Sequence, residues 1–229
     1  MTQLQPMLPD AFVGDGVTQA DVAKLVAAGP PWCGLILQAS NGLAAAGAWF
    51  NALWPACVAF AGPRYGIDWF RAAYHYLRVD ENSEQQRDVF LSAIDIERGE
   101  QPADATAAQV EDSVSSFALD ILSRTGRRPM LYAGSYIRDL GIKSRMGCSL
   151  LGFPEWTGQL DQSLLHAMGW DLNTTLLWQI VGDGSNTAPP GYPHLTPIGP
   201  LDISVMVRAN LPYSQGLEWT RTHMGSQPT

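Results

Sequence analysis

Apolar residues follow two alternating patterns along this chain. Continuous apolar runs of strand length occupy residues 34–39, 90–97, 129–133, 175–181 and 201–207. An aromatic-rich run at residues 70–77 is also strand-like, and a short apolar run at residues 11–15 predicts the first strand. The apolar pattern therefore predicts strands from one end of the chain to the other.

Helical spacing separates several of these runs. Thr18 is a typical N-cap for a helix that ends at Gly29, and Thr106 with Gln109 forms a capping box for a longer helix that ends at Gly126. An alanine-rich stretch after residue 42 indicates another helix, which Pro55 should interrupt or restart. Residues 147–169 give no clear pattern.

Strands that alternate with helices favour parallel pairing, in either a barrel or an open doubly wound sheet. Neither glycine-rich phosphate loop motif is present, which weakens the case for a nucleotide-binding open sheet. We therefore expect an α/β fold, with a barrel favoured over an open sheet. Because no linker divides the chain, we expect a single domain over residues 1–229.

Composition limits the classes of partner. The net charge is −8 and 46% of residues are hydrophobic, so the chain can bury a core and should repel the phosphates of nucleic acid. The three cysteines, Cys33, Cys57 and Cys148, lack metal-site spacing and fit packed thiols, although one disulfide stays possible. We expect no metal, no cofactor and a monomer.

The first residues do not resemble a signal peptide, because no basic segment precedes an apolar one. No run of 18 apolar residues predicts a membrane span. We therefore expect a protein that is made in the cytoplasm and that would need another way out, such as a phage-type lysis system, to act outside it.

Asp95 and Glu97 are the first candidates for chemistry. They stand two residues apart on an apolar strand, so their side chains point to the same side of the sheet. Two carboxylates on one apolar wall should have divergent pKa values, giving a protonated acid beside an ionised base. Glycoside cleavage needs that division of labour. A lone D-x-E pair is common in proteins, so its surroundings must support this interpretation.

Further acidic and aromatic residues end other strands. Asp15 closes the first apolar run and Asp202 stands near the last one, and strand ends of a parallel barrel converge on one pocket. Aromatic rings pack on the apolar faces of sugars, and amides bind sugar hydroxyl and N-acetyl groups. The candidate sugar contacts are Tyr74, His75, Tyr132, Trp178, Gln179 and Gln38. Serine nucleophile and zinc-protease motifs are missing from the sequence.

Seven segments, in order, resemble glycoside hydrolase family 25, the Chalaropsis-type lysozymes that include phage-type endolysins. They are residues 21–29, 35–42, 72–78 (A-A-Y-H-Y-L-R), 93–97 (A-I-D-I-E), 128–134 (R-P-M-L-Y-A-G), 177–180 (L-W-Q-I) and 201–203 (L-D-I). The resemblance covers roughly residues 10–208, which implies a catalytic glycoside hydrolase domain with that core and a short C-terminal extension. It implies an irregular TIM-like barrel of eight strands and about five helices. The implied activity is cleavage of the β-1,4 bond between N-acetylmuramic acid and N-acetylglucosamine of peptidoglycan.

The resemblance also implies roles for the acidic residues. Glu97 would be the general acid and Asp95 would assist, for example by orienting the N-acetyl group of the substrate. Asp15 and Asp202 would complete the acidic pocket. The first strand departs from the family's G-I-D-V-S pattern, so Asp10 competes with Asp15, and Gln38 stands where a basic residue is common. Retaining and inverting chemistry both stay open.

Three alternatives to a muramidase stay open at this stage. The first is a non-catalytic barrel that binds glycan or forms part of a phage particle, which the altered first strand and Gln38 would fit. The second is a glycosidase for another polymer, such as chitin. The third is an amidase or peptidase that acts on the same wall, which would need a zinc or thiol site that the sequence lacks.

Overall fold

The computed structural model describes residues 5–32, 34–41, 44–45, 47–61, 66–71, 91–126, 128–182 and 188–207. The strands in this part of the chain are β1 Met7–Ala11, β2 Leu35–Asn41, β3 Ala44–Ala45, β4 Gly66–Arg71, β5 Leu91–Ile96, β6 Met130–Ala133, β7 Leu150–Pro154, β8 Thr175–Val181 and β9 Asp202–Met206. The helices are α1 Gln19–Ala28, α2 Gly47–Ala61, α3 Ala107–Thr125, α4 Ser135–Asp139 and α5 Gln162–Ala167.

These strands form a single curled sheet in the order β1-β9-β8-β7-β6-β5-β4-β2-β3. The sheet curls so far that β1 also pairs in parallel with β2, through Asp10 opposite Ile36 and Ala11 opposite Leu37. The pairs from β2 through β4 to β8 are parallel, whereas β9 is antiparallel to both β8 and β1. The α/β class is confirmed, but the irregular TIM-like barrel of eight strands is not, because the described strands form one mixed sheet of nine strands.

Local capping explains where two helices begin and end. The Thr18 side chain accepts a hydrogen bond from the Asp21 backbone N–H, and α1 ends at Gly29. The Thr106 side chain caps α3 in the same way with Gln109, and the left-handed Gly126 (φ 71°) ends it. Both helices confirm the capping predictions, because a cap supplies hydrogen bonds that the end of a helix lacks.

Three elements differ from the sequence predictions. The first strand begins at Met7 and ends at Ala11, and residues 13–15 form a 3-10 turn instead of strand. The physical reason is burial: Met7 is fully buried, whereas Phe12 and Val13 are exposed at a cavity rim. The helix α2 runs through Pro55 without a restart. Its buried side chains, such as Phe50 and Leu53, offset the hydrogen bond that proline cannot donate.

Other segments fill in the remaining pattern. The unassigned region 147–169 contains β7 and α5, and the predicted strand at residues 70–77 is described only up to Arg71, where β4 ends. The side chains of Cys57 and Cys148 are buried, and burial raises the pKa of Cys148 to about 12. Cys33 lies outside the described residues. No helix in the described ranges is both long and apolar enough to cross a membrane.

Candidate active site

One edge of the sheet collects the candidate residues. Asp95 and Tyr132 lie near the carboxyl ends of the parallel strands β5 and β6, and Gln179 lies near the carboxyl end of β8. Asp202 is the first residue of β9, and because β9 runs antiparallel, its amino end lies at the same edge. The predicted convergence of Asp202 therefore depends on an antiparallel strand, not a parallel one.

A cavity of about 650 Å³ opens at this edge. We call it the acidic cavity, and its polar lining is Asp10, Asp15, Gln38, Glu97, Tyr132, Trp156, Gln179 and Asp202. Asp10 on β1 is only 5% exposed and lies directly opposite Asp202 in the β1–β9 register. Two carboxylates from different strands are thus brought to one wall of the cavity.

Asp95 and Glu97 occupy different depths at the same edge. Asp95 is fully buried (0% exposed) on β5, beside Tyr132 in the β5–β6 register, and it does not line the cavity. Glu97 follows the last residue of β5 and stands half-buried at the N-cap of a 3-10 turn, Arg98–Glu100. Glu97 is therefore the member of the D-x-E pair that a ligand can reach.

Four carboxylates lie near enough to the Tyr132 phenol to affect its pKa. Its pKa is raised well above 10.0, first by burial and then by the negative charges of Asp95, Asp10, Glu97 and Asp202. These charges disfavour a phenolate, so Tyr132 stays protonated and remains a hydrogen-bond donor. Three of these acids belong to β1, β5 and β9, and Glu97 directly follows β5.

Gln179 links the phenol to one of these acids. The Tyr132 hydroxyl donates to Gln179 Oε1 at 2.7 Å, and Gln179 Nε2 donates to Asp202 Oδ2 at 2.9 Å. The Trp156 indole N–H also donates to Gln179 Oε1, at 3.3 Å. Because an ionised carboxylate only accepts hydrogen bonds, this network fixes which way the Gln179 amide faces.

A second cavity of about 480 Å³ adjoins the first. We call it the arginine cavity because Arg98 and Arg138 lie on its rim. Glu97, Tyr132 and Trp156 line both cavities. A chain-like ligand that runs from one cavity to the other would therefore pass Glu97.

The predicted site residues separate into three groups. Gln38, Tyr132 and Gln179 are buried and line the acidic cavity. Trp178 does not line either cavity, because its indole N–H donates to the Glu155 carbonyl and its ring packs on Tyr192. Tyr74 and His75 lie outside the described residues.

Asp15 and Asp10 have different positions. Asp15 is exposed in the 3-10 turn after β1, where its carboxylate accepts a hydrogen bond from the Phe12 backbone N–H at 2.9 Å. It reaches the cavity mouth, but it is not among the four acids that shift the Tyr132 pKa. Asp10 is one of those four, so the structure places the rival residue nearer the centre.

Sequence reasoning missed Trp156, which lines both cavities while remaining 52% exposed. The signal was hidden because the end of β7 could not be recognised in the unassigned region. Gly182 also went unnoticed, and a Cβ there would come within 2.9 Å of the indole ring. Within the described ranges, no group of three or more His, Cys, Asp or Glu side chains is arranged to hold a metal ion.

Comparison with solved structures supports the fold. A bacterial lysozyme from Streptomyces coelicolor superposes with a TM-score of 0.65 and 12% identity, over 95% of this chain and 98% of its own. A family 25 lysozyme from Aspergillus fumigatus superposes with a TM-score of 0.63 and 16% identity, over 97% of this chain and 100% of its own. A family 25 glycosyl hydrolase from Bacillus anthracis superposes with a TM-score of 0.60 and 15% identity, over 90% of each chain.

No family model matches the sequence, and no curated protein matches it. Identities this low carry information about architecture alone. The superpositions nevertheless cover nearly the whole of each chain. The chain has the fold of the family 25 lysozymes.

Proposed function

We propose that this protein is a peptidoglycan hydrolase, an N-acetylmuramidase that cleaves the β-1,4 bond between N-acetylmuramic acid and N-acetylglucosamine. The observation that carries the proposal is the position of Glu97 where two cavities meet, with Asp10, Asp95 and Asp202 around the adjacent Tyr132. Glycoside hydrolysis uses one protonated acid and one ionised carboxylate, and a difference in burial separates the pKa values of two acids in this way.

Glu97 is the proposed general acid. Its carboxyl group donates a proton to the glycosidic oxygen as the bond from that oxygen to the sugar carbon breaks. Positive charge develops on the sugar ring, and the carboxylates of Asp10 and Asp202 in the cavity wall stabilise it. Water completes the hydrolysis by adding its oxygen to that carbon and giving its proton to a carboxylate.

Asp95 is proposed to act through its charge rather than by contact. It is fully buried, so it does not reach a sugar in the cavity. Its negative charge beside Tyr132 adds to that of the other acids, and like charges close together favour a proton on one member of the group. Glu97, the half-buried member at the junction, is the one placed to pass a proton to substrate.

Trp156 is the proposed platform for a sugar ring. Its indole is held by the hydrogen bond to Gln179 and by the close approach to Gly182, yet half of its surface is exposed. An aromatic ring fixed in this way loses little freedom when a ligand packs on it. The apolar face of a pyranose ring would then lie beside Glu97.

Product analysis tests the proposal. Purified peptidoglycan is incubated with the protein, and turbidity and the masses of borohydride-reduced fragments are measured. We expect loss of turbidity and fragments that end in reduced N-acetylmuramic acid. A different reducing end would show a glycosidase of another specificity, and new amino termini would show a peptidase. A folded wild-type protein that binds peptidoglycan but releases nothing would be a non-catalytic glycan-binding protein.

A further inference from the structure

The arginine cavity has a composition that a sugar chain does not need. Its apolar floor includes Phe153, Leu164 and Met168, while charged side chains stand around the rim. The glycan of peptidoglycan is a chain of N-acetylated sugars without charged groups. The charges of the rim therefore point to a different part of the substrate.

The positive side of the rim is a linked pair of guanidinium groups. Arg98 and Arg138 both contact the Asp139 carboxylate, at 2.6 and 2.7 Å. One carboxylate between two guanidinium groups leaves a net positive charge. Arg98 also lies over the Tyr136 ring, 5.5 Å from its centroid, which restricts where that guanidinium can move.

Besides Glu97, two acidic side chains also line the arginine cavity. Glu155 and Asp161 line the cavity from the segment that joins β7 to α5. Hydrogen bonds from Ser163 lower the pKa of Asp161, so this carboxylate stays ionised at neutral pH. The lining of this cavity thus combines a positively charged arginine pair, apolar side chains and these two carboxylates.

A short peptide with free carboxylates, methyl side chains and an amino group matches that arrangement. Peptidoglycan carries such a peptide on the lactyl group of each N-acetylmuramic acid, next to the bond to be cleaved. We infer that the arginine cavity binds this stem peptide, with a free carboxylate of the peptide on Arg98 and Arg138. The inference rests on the proposed function and defines the substrate further, as glycan that still bears its peptides.

Continuity with the acidic cavity supports the assignment. Glu97 lines both cavities, and Arg98 is the next residue along the chain. A peptide that branches from a sugar beside Glu97 therefore has a direct path to the two guanidinium groups. An unbranched sugar chain would leave both of them without an anionic ligand.

The test compares two substrates of equal glycan length. One bears stem peptides; from the other an amidase has removed them, and the lactyl carboxylates that this frees have been converted to amides, so that it carries no anion. We expect the wild-type kcat/KM for the peptide-bearing strand to be about tenfold higher, because a charge-assisted hydrogen bond contributes about 1.5–3 kcal/mol. The double variant Arg98→Gln/Arg138→Gln should bring this ratio close to one. Lys24→Gln removes one positive charge from a residue of α1 that lines neither cavity, and should keep the wild-type ratio.

The outcomes distinguish a failure of this inference from a failure of the proposed function. If the wild-type protein cleaves both strands at the same rate, the inference is overturned and the muramidase proposal stands. If it cleaves neither, the muramidase proposal fails. A separate measurement uses the free stem tripeptide as a competitor of wild-type cleavage. Competitive inhibition by the tripeptide that is weaker in the double variant supports the inference, and equal inhibition of both proteins contradicts it.

Discussion

The acidic cavity and the arginine cavity share three residues but hold their charges in opposite ways. In the acidic cavity Asp10 is almost fully buried, and Asp95 is fully buried just behind the wall, beside a buried phenol and amide. On the rim of the arginine cavity, Arg98 and Arg138 are exposed by 65% and 40%, and both pair with an exposed carboxylate. The two cavities thus contain charges with very different access to water.

This difference corresponds to a difference in chemical use. Withdrawing a carboxylate from water costs several kcal/mol and changes its affinity for a proton, which suits proton transfer. Exposed ion pairs contribute only about 0–1 kcal/mol to stability, so their partners can be exchanged for a ligand at little cost. We therefore expect substitutions in the acidic cavity to change the rate, and substitutions on the arginine rim to change substrate choice.

The largest expected effect comes from Glu97, the acidic residue among the three that both cavities share. Glu97→Gln removes the proton donor and should lower kcat by about 10³-fold on glycan with or without peptides. Asp104→Asn, which makes a comparable change at an exposed position, should keep the wild-type kcat. Initial rates on both substrates and a thermal unfolding curve measure this. A folded Glu97→Gln protein with wild-type activity would remove Glu97 from the mechanism.

A smaller effect distinguishes the two candidate acids near the first strand. Asp10→Asn should lower kcat by about 10²-fold, because a charge in the water-poor cavity wall is lost. Asp15→Asn should change it by less than about threefold, since Asp15 is exposed and asparagine can still accept the hydrogen bond from Phe12. The same rate assay compares the two variants. A greater loss with Asp15→Asn would restore the assignment predicted from sequence.

Trp156 should affect binding more than chemistry. Trp156→Ala should raise KM by about three- to tenfold, since aromatic contacts contribute about 0.5–1.5 kcal/mol, with a smaller change in kcat. Gly182→Ala should act in the same direction, because its methyl group would meet the indole at 2.9 Å. Leu119→Ala changes an exposed apolar residue of α3 and serves as control. An unchanged KM in both cavity variants would exclude the platform.

Tyr132→Phe should produce the smallest effect, mainly on stability. At pH 7 the variant should be about 1 kcal/mol less stable, because the hydrogen bond to Gln179 is lost. The folded-state pKa of Tyr132 is raised, so the unfolded chain loses this proton first as the pH rises above about 10. The free energy of unfolding of the wild type therefore declines above about pH 10, and its difference from that of Tyr132→Phe should narrow.

Urea unfolding at several pH values between 7 and 11 measures that difference. Tyr192→Phe is the matched control, since Tyr192 is half-buried and lacks the four surrounding acids. The difference in free energy of unfolding between the wild type and Tyr192→Phe should narrow less as the pH rises. A Tyr132→Phe difference that widens with pH would contradict the assigned electrostatic environment of the phenol.

Local patterns predicted much of the fold because they depend on neighbouring residues. The caps at Thr18 and Thr106 and the strand that carries Asp95 need only a few consecutive positions to be recognised. The first strand was placed too late because Phe12 and Val13 are apolar but face the cavity mouth. Hydrophobicity alone does not distinguish a buried side chain from one at the rim of a binding site.

For a related reason, the sequence could not predict which side chains of β8 face the cavity. Every residue of this strand is buried, so no polar alternation shows which side faces the cavity. Neighbouring residues point to opposite sides, and only Gln179 of the pair with Trp178 reaches the acids.

The sequence by itself determined the α/β class, the capped helices and the presence of an acid pair at a strand end. The tertiary structure alone decided which acids meet, because that depends on strand order and direction across long stretches of chain. The antiparallel β9 brings Asp202 opposite Asp10, and the end of β7 brings Trp156 beside Gly182. Such contacts join residues far apart in sequence, and the pairing that creates them depends on the packing of the whole sheet.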